Sequence, residues 1–223
     1  MHTFTTPAPV TVVLDLPAGR VNLIAADRAD TVVEVLPADA GKGRDVKAAE
    51  RIEVACADGV LRVAAPAPAR RLLGDSGSVE VTVRVPAGSR VEAKAGAAEF
   101  RGVGRLGDVA VEGAYGRVKI DEAAGLRLAV HDGDVLVGRL GGSAEISTGR
   151  GDIEVTEARE GAVTLRTGQG SISLGAARGV SAALDAGTRY GRVDNALKNA
   201  DGADAGLTVH ATTGHGDITA RSL

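Results

Sequence analysis

The sequence predicts an all-β fold, a parallel β-solenoid built from coils of about eighteen residues. Three observations predict it. From residue 91 onward a phrase recurs: two apolar residues, a Gly-containing turn, two more apolar residues, then a second turn. Within each half of the phrase apolar and polar positions alternate, the two-residue period that puts one set of side chains on one face of a strand. The apolar content also suits narrow, regular layers, because 44% of the 223 residues are hydrophobic while only 2% are aromatic and none is Trp.

Taken in order, residues 10–23 (VTVVLDLPAGRVNL) already fit the template, with Val12 and Leu14, a Pro-Ala-Gly turn, then Val21 and Leu23. TVVEVLP, RIEVACADG and VLRVAAP follow as further strands, with longer connections at roughly 37–50 and 64–78. The second connection, AAPAPARRLLGDSGS, is expected to be a mobile loop. Helix is confined to a turn or two near Asp45 to Arg51. The run 79–96 carries a second Pro-Ala-Gly, at 86–88, as an echo of the first. Residues 1–90 therefore read as an irregular β-rich layer that continues and caps the solenoid. Residues 91–223 read as the repeats, and the whole as one domain.

Anchoring each repeat on the first apolar residue after its Gly turn gives Phe100, Val118, Val135, Ile153, Ile172, Val193 and Ile218, about seven coils of 17–25 residues. The flanking positions keep the register. Successive coils offer Val109, Val111, Val118 and Ile120; Leu126, Leu128, Val135 and Val137; Ala144, Ile146, Ile153 and Val155; then Val163, Leu165, Ile172 and Leu174. Glu112, Lys119, Arg127, Glu145, Glu154, Thr164, Arg166 and Ser173 lie between them and should meet water. Stacked coils pair each strand with its equivalents above and below at about 4.8 Å, which gives a rod on the order of 30 Å long. Inward residues then form columns that bury a core no single repeat could. An antiparallel meander is the rival topology. The sixth coil, with Leu184, Ala186, Val193 and Asn195, is the weakest, and the stretch after it, to Gly206, reads as a loop over one edge. Solenoid ends expose strand edges that invite pairing.

These residues resemble the bacterial "putative-adhesin" family of β-strand repeats, catalogued as a domain of unknown function. The resemblance rests on recurring "t-G-x-G-d-I" turns, on "V-x-V-P-x-G" and on an N-terminal "L-x-L-P-x-G-x-V". It runs from about Val12 to Ile218. It implies a parallel β-solenoid, and it carries over no catalytic residues.

The chemistry is sparse. Net charge is −3, with 26 basic and 29 acidic residues spread along the chain, so nothing creates the positive field that nucleic-acid binding uses. The single cysteine, Cys56, excludes an internal disulfide framework and reads as a small hydrophobe. The N-terminus lacks a basic segment followed by a long apolar run, and no stretch approaches the roughly 18 apolar residues of a membrane span. A cytoplasmic protein is the expectation.

The most site-like feature is the Gly-x-Gly-Asp turn, which places Asp134, Asp152 and Asp217 one residue before an anchor. Asp134 and Asp152, in adjacent coils, are the weak calcium candidates. In nine-residue calcium-binding repeats the Asp lies two residues before the hydrophobe, so these read first as turn formers. His131 with Asp132 and Asp134, and His215 with Asp217, lie in different coils and read as surface turn residues. Tyr115 and Tyr190 both precede a Gly at the same corner (AYGRV, RYGRV), which suggests local packing. No catalytic set converges, and no cofactor or metal is assigned. The expected function is a non-enzymatic binding or scaffold module. Its partner is expected to be a protein, or itself through an edge or an end. A self-assembling solenoid like the bactofilins is the second reading. A carbohydrate-active β-helix enzyme is the third, disfavoured by the lack of aromatic platforms for sugars.

Overall fold

The computed structural model describes residues 1–66 and 77–223. Most of the loop expected at 64–78 therefore lies outside the described residues. The N-terminal third holds β1 (His2–Thr5), β2 (Thr11–Ala26), β3 (Asp30–Pro37), α1 (Gly43–Arg51), β4 (Glu53–Ala57), β5 (Val60–Ala64) and β6 (Val79–Pro86). Next come β7 (Arg90–Tyr115), β8 (Val118–Asp132), β9 (Val135–Leu140), β10 (Ala144–Arg150) and β11 (Ile153–Ala158). The chain continues through β12 (Gly161–Gln169), β13 (Ile172–Ala176), β14 (Ala182–Tyr190) and β15 (Val193–Ala196), and ends with β16 (Leu207–His215) and β17 (Ile218–Ser222). Among the described residues the fold is all-β, a 17-stranded sheet with one α-helix of nine residues where the sequence places helix, and a short 3₁₀ turn at Gly202–Asp204.

From β7 to β17 the ladders are parallel, and their register follows the anchors. In one column Phe100, Val118, Val135, Ile153 and Ile172 pair in succession. In the other, Val109, Leu126, Ala144 and Val163 do the same. All are buried, and so are their alternate neighbours Val111, Leu128, Ile146 and Leu165. Each fully buried side chain of this size contributes about 1.5–3 kcal/mol. The residues between them face out, with Ala110, Leu136 and Thr164 half-buried.

The layers do not stack in chain order at the C-terminal end. The anchors run Ile172, Val193, Ile218 in sequence, but Ile218 pairs with Ile172, and Val193 pairs with Ile218. On the opposite face β16 likewise lies between β12 and β14. The last layer of the chain is thus an interior layer, and the preceding one forms the end. Polar burial explains the exchange. Asn195 shares a register row with Ala220 and Leu174, so an interior position would bury its amide against aliphatic neighbours, which costs free energy unless it is hydrogen-bonded. At the end of the stack Asn195 stays exposed.

The N-terminal end shows the same exchange. β2 pairs in parallel with β7, Val12 to Val91, Leu14 to Ala93, Val21 to Phe100 and Leu23 to Gly102, as the shared template requires. On its other side it pairs with β5 and β6. Three antiparallel ladders then close this end, β4 on β5, β3 on β6 and β1 on β3. Helix α1 packs behind them. The carboxylate of Asp45, 4% exposed, accepts a hydrogen bond from the Ser78 N–H at 3.0 Å and ties the helix to the start of β6. Cys56 is half-buried against the core, opposite Leu61.

The two Pro-Ala-Gly turns are not equivalent positions. Ala18, at the corner between the two halves of β2, pairs with Ala97 of the adjacent layer, whereas Pro86 pairs with Ala26 and opens the following corner. The same three residues suit either corner, and only the flanking strand lengths decide between them.

Candidate functional site

The Gly-x-Gly-Asp corners stack directly over one another. Gly151 and Gly170 adopt φ of 128° and 147°, a region open essentially only to glycine. A Cβ on Gly170 would also strike the carbonyl of Gly151, as one on Gly151 would strike that of Gly133. Those same carbonyls accept hydrogen bonds from buried threonines. Thr148 Oγ1 donates to Gly133 O at 3.2 Å, Thr167 to Gly151 O at 2.9 Å and Thr213 to Gly170 O at 2.8 Å.

The aspartates complete the corner. Asp134 Oδ1 accepts from the N–H of Asp152 at 3.1 Å, and Asp152 Oδ1 from that of Ser171 at 2.7 Å. Asp217 Oδ1 accepts from the N–H of Arg192 at 2.8 Å. Each carboxylate therefore links its own layer to the next. Asp134 and Asp152 are adjacent, as their register requires, with one oxygen of each engaged by backbone. Among the described residues no group of three or more His, Cys, Asp or Glu side chains is placed to hold a metal ion.

Outside this glycine column runs an exposed row of planar and charged side chains. Arg150, Gln169, His215 and Tyr190 occupy one register position in four successive layers. Asp132, 3.7 Å from Arg150, continues the row, and Tyr115 lies across from Asp132. The Tyr190 and His215 rings stack with centroids 4.8 Å apart at 16°, and Tyr115 lies 5.0 Å from His131 at 32°. Tyr115 and Tyr190 are 55% and 63% exposed. Behind the row, Gly149, Gly168 and Gly214 form the floor of a shallow groove edged by Arg189.

The sequence places His131 and His215 in separate coils, and the structure keeps them apart, each against a tyrosine. It does not reveal the Tyr–His stacking, or that Thr213 acts across layers. Thr213 reaches a carbonyl 43 residues away because of the exchanged layer order. His210 Nδ1, 3.2 Å from Asp185 Oδ2, is likewise an inter-layer pair that spacing gives no sign of. The carboxylates held below their usual range lie at the far end of the molecule. A side-chain hydrogen bond from Arg28 lowers Asp30, and the backbone N–H of Gly41, helped by Lys42, lowers Asp39.

The family model described as Toastrack DUF4097 matches residues 10–221. No curated protein matches the chain. Among solved structures, a "putative cell adhesion protein" from Clostridium sporogenes ATCC 15579 is similar at 12% identity, covering 100% of this chain and 98% of that one, with a TM-score of 0.43. A "putative adhesin" from Bacteroides fragilis NCTC 9343 shares 13% identity over 98% of this chain and 95% of that one, with a TM-score of 0.46. Another, from Parabacteroides distasonis ATCC 8503, shares 12% identity over 98% and 95%, with a TM-score of 0.27. Among the described residues no helix is long and apolar enough to cross a membrane.

Proposed function

The chain belongs to the Toastrack DUF4097 family, and on that premise we propose that it is a non-enzymatic β-solenoid binding module whose partner is a protein. The solenoid reading is supported by the parallel registers from β7 to β17, on which the seven anchors from Phe100 to Ile218 fall in one column. β2 and the β5–β6 pair extend the same winding into the N-terminal third.

The observation that carries the binding role is the exposed row from Tyr115 to Tyr190. Tyr and Arg are the side chains that most often dominate protein interfaces. Here they stand on a corner pinned by glycine, threonine and aspartate, so little conformational freedom is lost when a partner docks. The faces of Tyr190 and His215 are turned on each other. Their polar tips and ring edges stand out toward a partner, with Tyr115 and Tyr190 55% and 63% exposed.

The test is capture followed by cross-linking. A protein partner held by the wild-type chain should cross-link near Arg150 and Gln169. It should be lost with the Tyr115→Ala, Tyr190→Ala double variant, whose circular dichroism should match wild type. Capture unaffected by the double variant would move the binding surface elsewhere.

A further inference from the structure

We propose that the open C-terminal end of the stack is a self-docking surface, where a second copy of this chain adds its own β14 in antiparallel register centred on Gly187. This does not rest on the binding role above. β14 pairs with β16 along one edge, and among the described residues no strand pairs along the other. The backbone shows which groups are left over. The Ser181 carbonyl accepts from Leu207 on the β16 side, while the Ala182 N–H donates the other way, to Lys198. Successive strand residues present their N–H and C=O groups to opposite edges. Leu184, Ala186 and Thr188 therefore direct theirs outward, away from β16.

The apolar column also ends unfinished at this layer. Leu184 and Ala186 are only half-buried, whereas their register partners Val209 and Ala211 are 0% and 1% exposed. Val193, on the same layer, is 45% exposed. An unpaired strand beside an open apolar column is a template for strand addition.

Charge identifies the occupant as a second copy. Asp185 and Arg189 flank Gly187 at equal distance in sequence, and all three are exposed. An antiparallel pair centred on Gly187 sets Asp185 of each copy opposite Arg189 of the other. Opposite charges directly across a pair stabilise it, and like charges destabilise it. In the same register Ala186 exchanges its outward hydrogen bonds with Thr188, which matches the edge left free. Arg117, Arg127, Arg150, Arg166 and Arg192 each reach a carboxylate in a neighbouring layer. Arg189 makes no ion pair among the described residues, and a second copy supplies the missing carboxylate. The other end of the stack cannot extend this contact, since it finishes in two short antiparallel strands, β1 and β4, of four and five residues. The association therefore closes on a two-fold axis as a dimer and does not grow into a filament.

Light scattering coupled to size exclusion, run across a wide concentration range, tests this on the full chain. Wild type should approach twice the chain mass as concentration rises. Arg189→Asp sets acid against acid and should return the mass to one chain, as should Ala186→Pro, which removes an outward N–H without touching the β16 ladder. The double variant Asp185→Arg, Arg189→Asp restores opposite charges across the axis and should dimerise again. Circular dichroism checks each fold, and Arg189→Asp alters only an exposed side chain. A wild-type protein monomeric at every concentration overturns the proposal. So does a dimer that survives both Arg189→Asp and Ala186→Pro, and so does growth beyond two copies.

Discussion

Two layers written on nearly the same template, residues 182–196 and 207–222, have opposite fates. In the later one Leu207, Val209, Ala211, Ile218 and Ala220 are all at 1% exposure or below. In the earlier one Ala182 alone is buried, and β15 is exposed throughout. The difference is a few side chains at inward positions: Asn195 in place of Ala220, Ala182 in place of Leu207 and Val193 in place of Ile218. The chain gives the interior place to the layer that fills it without stranding a polar group, and leaves the poorer one where water can reach it. The N-terminal end repeats the exchange with β2. Both terminal layers are thereby paired on two sides, which opposes the fraying that chain ends usually show.

The sharpest way to break this comparison is to delete residues 207–223. If the last layer were at the end, the loss would cost a little fraying. As an interior layer its removal exposes Val163, Leu165, Ile172 and Leu174, so the truncated chain should lose its cooperative melt by circular dichroism. A truncated protein melting like the full chain would put the layers back in sequence order. Next in size, Gly170→Ala should cost about 3 kcal/mol or more in denaturant unfolding, through strain and overpacking against the next layer. Gly206→Ala, where a Cβ meets nothing within 4 Å, should change stability by about 0.5 kcal/mol or less. Equal effects would mean the corner is looser than its register implies. Truncating the two partnered anchors separates the layers further. Ile218→Ala should cost about 2–5 kcal/mol and Val193→Ala about 0.5 kcal/mol or less. The smallest effect concerns the aspartate corners that cross the same boundary. Because Asp134, Asp152 and Asp217 already accept backbone N–H groups, EDTA should leave the melting temperature unchanged. A clear fall would place a calcium ion at Asp134 and Asp152.

Much of the local structure was legible in the sequence. Period-two alternation placed the inward residues from Val109 to Leu174, the shared template aligned Val12 and Val21 with Val91 and Phe100, and helix was confined to the segment around Asp45. The Pro-Ala-Gly echo misled, because a turn motif of three residues carries no information about which corner it makes. The candidate site was legible only as single residues. Tyr115, Tyr190, His131 and His215 stood out individually, but a row across layers is a property of the stacking and has no signature in spacing.

Strand period, corner glycines and the aliphatic layers were thus determined by sequence alone, because each depends on residues a few positions apart. The order of the layers, and with it the open end and the exposed row, was decided only in three dimensions. A layer can pair with any other layer of matching register, and what selects among them is which inward side chains can be buried on both sides at once.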